Sequence, residues 1–214
     1  MSFDIAGHLG AMTREVRNLE RDGQPAKAVI ASRLYETDAA DLWDALTSAE
    51  RLKRWFAPVS GNLELGGRFH VEGNASGTIT ACEPARYLAG TWEFAGTVSW
   101  IEITLTAEAD ATRLELQHIA HLGPHWDQYG PGATGVGWEL GFLGLAAHLE
   151  RPGDDVRAEG MGQWETSGEA RELIRASSHA WGQAAIAAGE DRTQAERAAE
   201  ATRRFYSGEA PMAD

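Results

Sequence analysis

Between Ser60 and Ala120 the apolar residues recur at every second position; from Thr134 to Glu150 they recur at every third or fourth. A chain that changes period in this way builds an antiparallel sheet first and then a long helix that can lie on it. The segments RFHVEG, GTITACEP, YLAGTWEF, VSWIEITL and TRLELQHIA alternate as strands do, and glycines at 61, 66, 67, 73, 77, 90 and 96 punctuate the region. The polar joins Glu83-Pro84-Ala85 and Glu108-Ala109-Asp110 suit tight hairpins. In the last segment Leu114, Leu116 and His118 share one face, opposite Arg113, Glu115 and Gln117. Its neighbour groups Ile101, Ile103 and Leu105. One face of the sheet is therefore greasy, and His118 points toward it.

In the long helix Trp138, Phe142, Leu145 and Leu149 form an apolar stripe, with Gly137, Gly141 and Gly144 running beside it. Each glycine costs roughly 1 kcal/mol relative to alanine. Three in one helix imply close backbone approach or space left empty. Ahead of the sheet, TDAADLWDALTSAERLKRWFAP predicts two short helices, the first capped by Asp38 with Asp41 completing a capping-box-like pair, the second starting at Thr47 or Ser48 and stopped by Pro58. Earlier still, Arg21-Asp22-Gly23-Gln24 is a turn signal before the β-leaning AVIASRLYE, which favours an N-terminal hairpin over a short helix.

Three regions follow: an N-terminal extension over 1–26, a main domain over 27–150, and a C-terminal helical extension over 153–214. The last carries helices from about Ser167 to Ala188 and from an Asp191 cap onward. Neither has enough apolar surface to stand alone, so they dock onto the first domain or onto a second copy of the chain as a homodimer.

The formal net charge of −13 opposes nucleic acid and anionic membrane surfaces as partners. A single cysteine, Cys82, leaves no internal disulfide and reads as a small apolar residue. MSFDIAGHLG has neither the basic start nor the apolar run of a signal peptide, and GVGWELGFLGLAAHLE is too short for a membrane span, so a cytoplasmic location is expected. There is no phosphate-binding loop, dinucleotide fingerprint or Gly-x-Ser-x-Gly elbow.

Taken in order, LWDALTSAERLKRWF, GNLELGGRF, GTITACEPARYLAGTWEF, TRLELQHIAH and GVGWELGFLGLAAHLE resemble the SRPBCC (START-like, helix-grip) superfamily. Within it they are most similar to the branch named after the activator of heat-shock-protein-90 ATPase. The resemblance spans roughly residues 27–150 and implies an α+β fold in which a curved antiparallel sheet wraps a long helix. Its signals are spaced Trp, Gly and Pro residues, so it carries over no shared catalytic residue. The superfamily includes lipid and hormone carriers, polyketide cyclases and aromatases, hydrolases and co-chaperones.

Three functional readings follow. The first is non-covalent binding of a small hydrophobic molecule between sheet and helix, without an obligatory cofactor, with Trp43, Trp55, Phe56, Trp92, Leu116, His118, Trp138 and Phe142 as candidate ligand-binding residues. The second is a cyclase, aromatase or hydrolase in which His118 or Glu139 carries the proton; a partly desolvated imidazole stays neutral near pH 7 and can accept one. The third is a chaperone-ATPase-activator-like interaction module. The run HIAHLGPHWDQYG sets His118, His121 and His125 within eight residues. A strand followed by an open loop does not converge three imidazoles, so no metal site is expected.

Overall fold

The computed structural model describes residues 3–158, 164 and 166–210. A short helix α1 (Ile5–Ala11) precedes strands β1 (Thr13–Arg21) and β2 (Gln24–Tyr35). Helices α2 (Ala39–Thr47) and α3 (Ala49–Trp55) follow. Six further strands then run in sequence: β3 (Val59–Gly61), β4 (Arg68–Val71), β5 (Ser76–Glu83), β6 (Tyr87–Phe94), β7 (Thr97–Glu108) and β8 (Ala111–His121). They lead to α4 (Pro124–Tyr129), the long α5 (Gly132–Glu150), α6 (Gly168–Ala187) and α7 (Arg192–Tyr206).

The strands form one eight-stranded sheet in the order β1-β2-β8-β7-β6-β5-β4-β3, every pair antiparallel. Strands β3 to β8 meander, and β2 closes against β8 with Val29 opposite His118. The expected alternation is present in β8, where Leu114 and Leu116 are buried between half-buried polar neighbours. The first hairpin turns on Asp22 and Gly23, both with positive φ (52° and 74°). That pair matches the twist of the flanking strands, and the glycine takes the left-handed conformation without a steric cost.

Asp38 caps α2 by accepting from the Asp41 N–H at 2.8 Å. The reciprocal half of a capping box does not form, because the Asp41 carboxylate is taken by Thr37 Oγ1 at 2.7 Å and Arg51 Nη1 at 2.7 Å. The stretch GPHWDQYGPG, expected to be loop, holds the helix α4, begun by Pro124 at its first turn and stopped at Gly130, whose φ is +55°. Its flanking breakers conceal a single helical turn that reads as loop from composition alone.

Helices α6 and α7 pack on this chain's own α5. Trp181 of α6 is fully buried and joins the main core. Tyr206 donates its hydroxyl to the Ala133 carbonyl at 2.6 Å, and Thr202 donates to Tyr129 O at 3.1 Å. Gln194 Nε2 donates to Asp127 O at 2.6 Å, and Lys27 pairs with Glu190 in the α6–α7 connection. Helix α5 is thus enclosed between the sheet on one side and two helices on the other. No helix among the described residues is long and apolar enough to cross a membrane.

Candidate functional site

The three glycines of α5 that run beside the apolar stripe, Gly137, Gly141 and Gly144, do not share one reason. At Gly144 a Cβ would stand 2.7 Å from the Trp55 carbonyl oxygen, so helix and α3 touch backbone to backbone there. At Gly137 a Cβ would come 2.8 Å from the Tyr206 hydroxyl. At Gly141 the nearest atoms are ring carbons of Phe56 and Trp55, at 3.9 and 4.0 Å, which is ordinary contact distance. Both alternatives read from the sequence are realised: approach at 137 and 144, space at 141.

That space belongs to a cavity between α5 and the sheet, with about 70 Å³ open to the centre of a water-sized sphere. On this measure one water needs roughly 10–15 Å³. The helix side is formed by Trp138, Gly141 and Phe142 of α5, with Leu52 and Trp55 of α3 and Phe56 just after it. The sheet side is formed by Phe69, Ile79, Leu88, Trp92, Ile103 and Leu116, among others. Among the described residues no charged side chain lines it. The wall deepens from half-buried Phe56, Trp92 and Trp138 to fully buried Leu114 and Ile79.

Of the residues singled out from the sequence, Trp55, Phe56, Trp92, Leu116, Trp138 and Phe142 lie in this wall. Trp43 does not. It is half-buried against the core, while Leu46, one turn along α2, faces the space instead. Residues 43 and 46 sit about 60° apart on a helix, enough to carry the indole past the opening. Sequence reasoning missed Leu52, Val59, Leu63, Phe69, Ile79, Ile101 and Ile103 as wall residues. For those on strands the signal is parity: Ile101 pairs with both Gly90 and His118, and so lies on the face marked by Leu114, Leu116 and His118.

His118 stands behind the wall rather than in it, and both ring nitrogens are engaged. Trp138 Nε1 donates to Nδ1 at 3.0 Å, and Nε2 lies 2.8 Å from Ser99 Oγ. An indole N–H can only donate, so Nδ1 is the acceptor and the neutral ring carries its proton on Nε2. Ser99 Oγ in turn donates to the Trp92 carbonyl at 3.1 Å. The chain Trp138–His118–Ser99–Trp92 ties the Trp138 indole to the backbone of the β6–β7 hairpin. The Trp92 ring itself rests against His118 and Trp138, with centroids 6.2 and 5.3 Å away. Burial, with a smaller contribution from His125, lowers the His118 pKa to about 4.

Glu139 is fully buried and turned away from the cavity. Its carboxylate accepts two parallel bonds from Arg14 of β1, from Nε at 2.7 Å and Nη2 at 2.8 Å. Such a bidentate pair satisfies a charge that burial would otherwise penalise heavily. Arg14 also donates to Met12 O at 3.4 Å. Glu139 therefore secures the N-terminal hairpin to α5.

The remaining histidines of the cluster go elsewhere. His121 Nδ1 is 3.4 Å from Pro25 O, and its ring meets Trp100 edge-on at 5.2 Å. His125 is exposed on α4 beside Tyr129, with ring centroids 5.1 Å apart. Among the described residues no group of three or more His, Cys, Asp or Glu side chains is placed to hold a metal ion. Cys82 is half-buried and packs against the core.

Residues 36–150 match the family described as Activator of Hsp90 ATPase homolog 1-like protein, which is more than half of the chain. Among solved structures, the crystal structure of CalU16 from Micromonospora echinospora is similar at 28% identity with a TM-score of 0.68, covering 82% of this chain and 99% of that one. The solution structure of CalU16 gives 31% identity and a TM-score of 0.67 over 84% and 97%. Protein MLL2253 from Mesorhizobium loti gives 25% and 0.53 over 58% and 97%. Residues 1–150 are about 70% of the 214, so the CalU16 likeness extends into the C-terminal helices. No curated protein matches the chain. Matched over its sheet and long helix, the chain belongs to the Activator of Hsp90 ATPase homolog 1-like family of the SRPBCC superfamily.

Proposed function

We propose that the protein binds a small, uncharged hydrophobic molecule non-covalently in the cavity between the sheet and α5. The observation that carries this reading is the wall: it is built from aliphatic and aromatic side chains alone, and the indole N–H groups of Trp55 and Trp138 are already donated to Ala45 O and His118 Nδ1. A molecule entering it meets mostly carbon, and its gain comes from removal of apolar surface from water. A charged ligand would lose its hydration without gaining a partner.

A cyclase, aromatase or hydrolase would need a proton carrier facing the bound molecule. The two candidates, His118 and Glu139, hold their polar atoms on Trp138, Ser99 and Arg14, which favours binding over chemistry. Native mass spectrometry of the purified protein, followed by denaturing extraction, tests the reading. The expected result is an apolar adduct lost on Trp92→Ala; an adduct that survives that change, or a polar or ionic one, would overturn it.

A further inference from the structure

The cavity has two unlike halves. Away from α5 its wall is branched aliphatic, from Ile79, Ile103 and Leu114. Toward the rim it is a continuous series of rings in which each is close to the next. Trp55 and Phe56 lie 5.5 Å apart, Phe56 and Trp138 6.1 Å, Trp138 and Trp92 5.3 Å, and Trp92 and Phe69 6.2 Å. Phe56 and Trp138 are nearly parallel, with 12° between their planes. These rings come from β4, β6, α3 with the residue after it, and α5, so the arc is assembled by the tertiary fold and does not come from one aromatic-rich segment.

Gly141 stands beneath this arc. Glycine inside a helix is unfavourable, and at 137 and 144 the neighbouring Tyr206 hydroxyl and Trp55 carbonyl account for it. At 141 nothing does: the space a side chain would fill is bounded by the rings of Phe56 and Trp55 at contact distance. The missing side chain leaves room against aromatic surface.

Resting on the reading of the cavity as a hydrophobic binding site, we propose that its ligand class is a planar, conjugated, uncharged ring system lying over Gly141 against the Phe56–Trp138–Trp92 arc. A flat ring can meet these rings edge-to-face or offset-stacked, and each such pair adds roughly a two- to ten-fold gain beyond burial. A saturated ring of the same skeleton is thicker and forfeits that gain. The chain through His118 and Ser99 keeps the Trp138 indole in place, and the Trp92 ring packs against it and against His118, so the arc is formed before the ligand arrives.

The test uses the whole protein and two alcohols of one carbon skeleton, 2-naphthol and decahydro-2-naphthol, by titration calorimetry and ligand NMR. The expected result is that 2-naphthol binds about ten-fold tighter, with its ring protons shifted upfield by the flanking aromatics. In Gly141→Ala, where the added methyl meets no atom closer than 3.9 Å, 2-naphthol binding weakens several-fold while the thermal midpoint holds or rises. Equal or tighter binding of the saturated alcohol overturns the planar class and leaves the hydrophobic reading standing. Unchanged 2-naphthol affinity in Gly141→Ala places the ligand elsewhere and overturns the site. Failure of both alcohols to bind at millimolar concentration overturns the two readings together.

Discussion

On its outer side helix α5 is filled to contact: a Cβ at Gly135 would fall within the Trp181 indole, and one at Gly132 would come 2.6 Å from Thr202 Oγ1. On its sheet side a Cβ at Gly141 would meet nothing nearer than Phe56 at 3.9 Å. The same residue type serves opposite ends on one helix. Outside, glycine admits the side chains of α6 and α7; inside, it leaves room. The contrast argues that the cavity is not general looseness, since the same helix is packed without gaps a few residues away. A small core gains from being close-packed, so space kept on one face alone fits the binding role proposed for that face.

Trp181→Ala tests the filled side most severely. A buried indole removed from the junction of α5 and α6 costs about 3–5 kcal/mol, and urea unfolding reads the loss. A change below about 1 kcal/mol would mean that the outer helices contribute little to the core. Trp181→Phe is the control. It keeps most of the ring and removes the Nε1–H, which is buried without a partner among the described residues, so its cost falls well below that of alanine. Glu139→Gln comes next, at about 3 kcal/mol, because it leaves the Arg14 guanidinium, whose side chain is only 12% exposed, without its counter-charge. A loss that small salt additions could reproduce would show the pair to be an ordinary surface contact.

These two residues show how far the sequence could be read. The helix that carries Trp181, from about Ser167 to Ala188, and the place of Glu139 within the long helix were legible in the sequence. Arg14, 125 positions from Glu139, was not, because nothing local marks which distant cation will meet a buried carboxylate. The five strands from 68 to 120 were legible because alternation survives in each, and with them came the fold class. His118 was placed on the correct face by its parity with Leu114 and Leu116. Its engagement on both nitrogens depends on Trp138 crossing from another element, and parity carries no information about that. The aliphatic wall was hidden for the opposite reason: Ile79, Ile101 and Ile103 look like any core residues, and only the registers of β5, β6 and β7 set them around a space.

The indole–imidazole chain at the rim separates the two sides by pH. His118 has a folded-state pKa of about 4 against an ordinary 6.5, so as pH falls the unfolded chain takes up the proton first. Its contribution is complete above about pH 6.5 and is lost as pH falls toward 4. Protonation also turns Nδ1 into a donor facing the donor of Trp138. His118→Gln can accept from Trp138 and donate to Ser99 without titrating, so it should flatten the acid decline by about 2 kcal/mol, a figure below the full shift because the residue keeps some contact with solvent. Part of the decline persists through His8, buried and held at about 3 by that burial and by Arg33. Unfolding midpoints of both proteins between pH 4 and pH 7 measure the difference. An unchanged acid limb would mean that His118 titrates normally and that the chain does not hold the Trp138 indole.

The smallest effect is also the most discriminating, since it compares two glycines three residues apart. Gly144→Ala forces a methyl to within 2.7 Å of the Trp55 carbonyl. Backbone yields poorly, so overpacking of about 1–3 kcal/mol outweighs the gain of roughly 1 kcal/mol in helix propensity, and the protein loses stability. Gly141→Ala meets only ring carbons at contact distance, keeps the propensity gain, and should raise the thermal midpoint by about 2–4 °C. The two substitutions are chemically identical and lie on one helix, so composition cannot account for opposite signs. If both destabilise, the space at Gly141 is smaller than the distances to Phe56 and Trp55 imply, and the sheet side of α5 is packed like the outer one. If both stabilise, α3 is free to withdraw from α5, and the rim of rings that depends on Trp55 and Phe56 is not fixed. Opposite signs leave a cavity held open by one absent side chain, at a stability cost that burial of a ligand can offset.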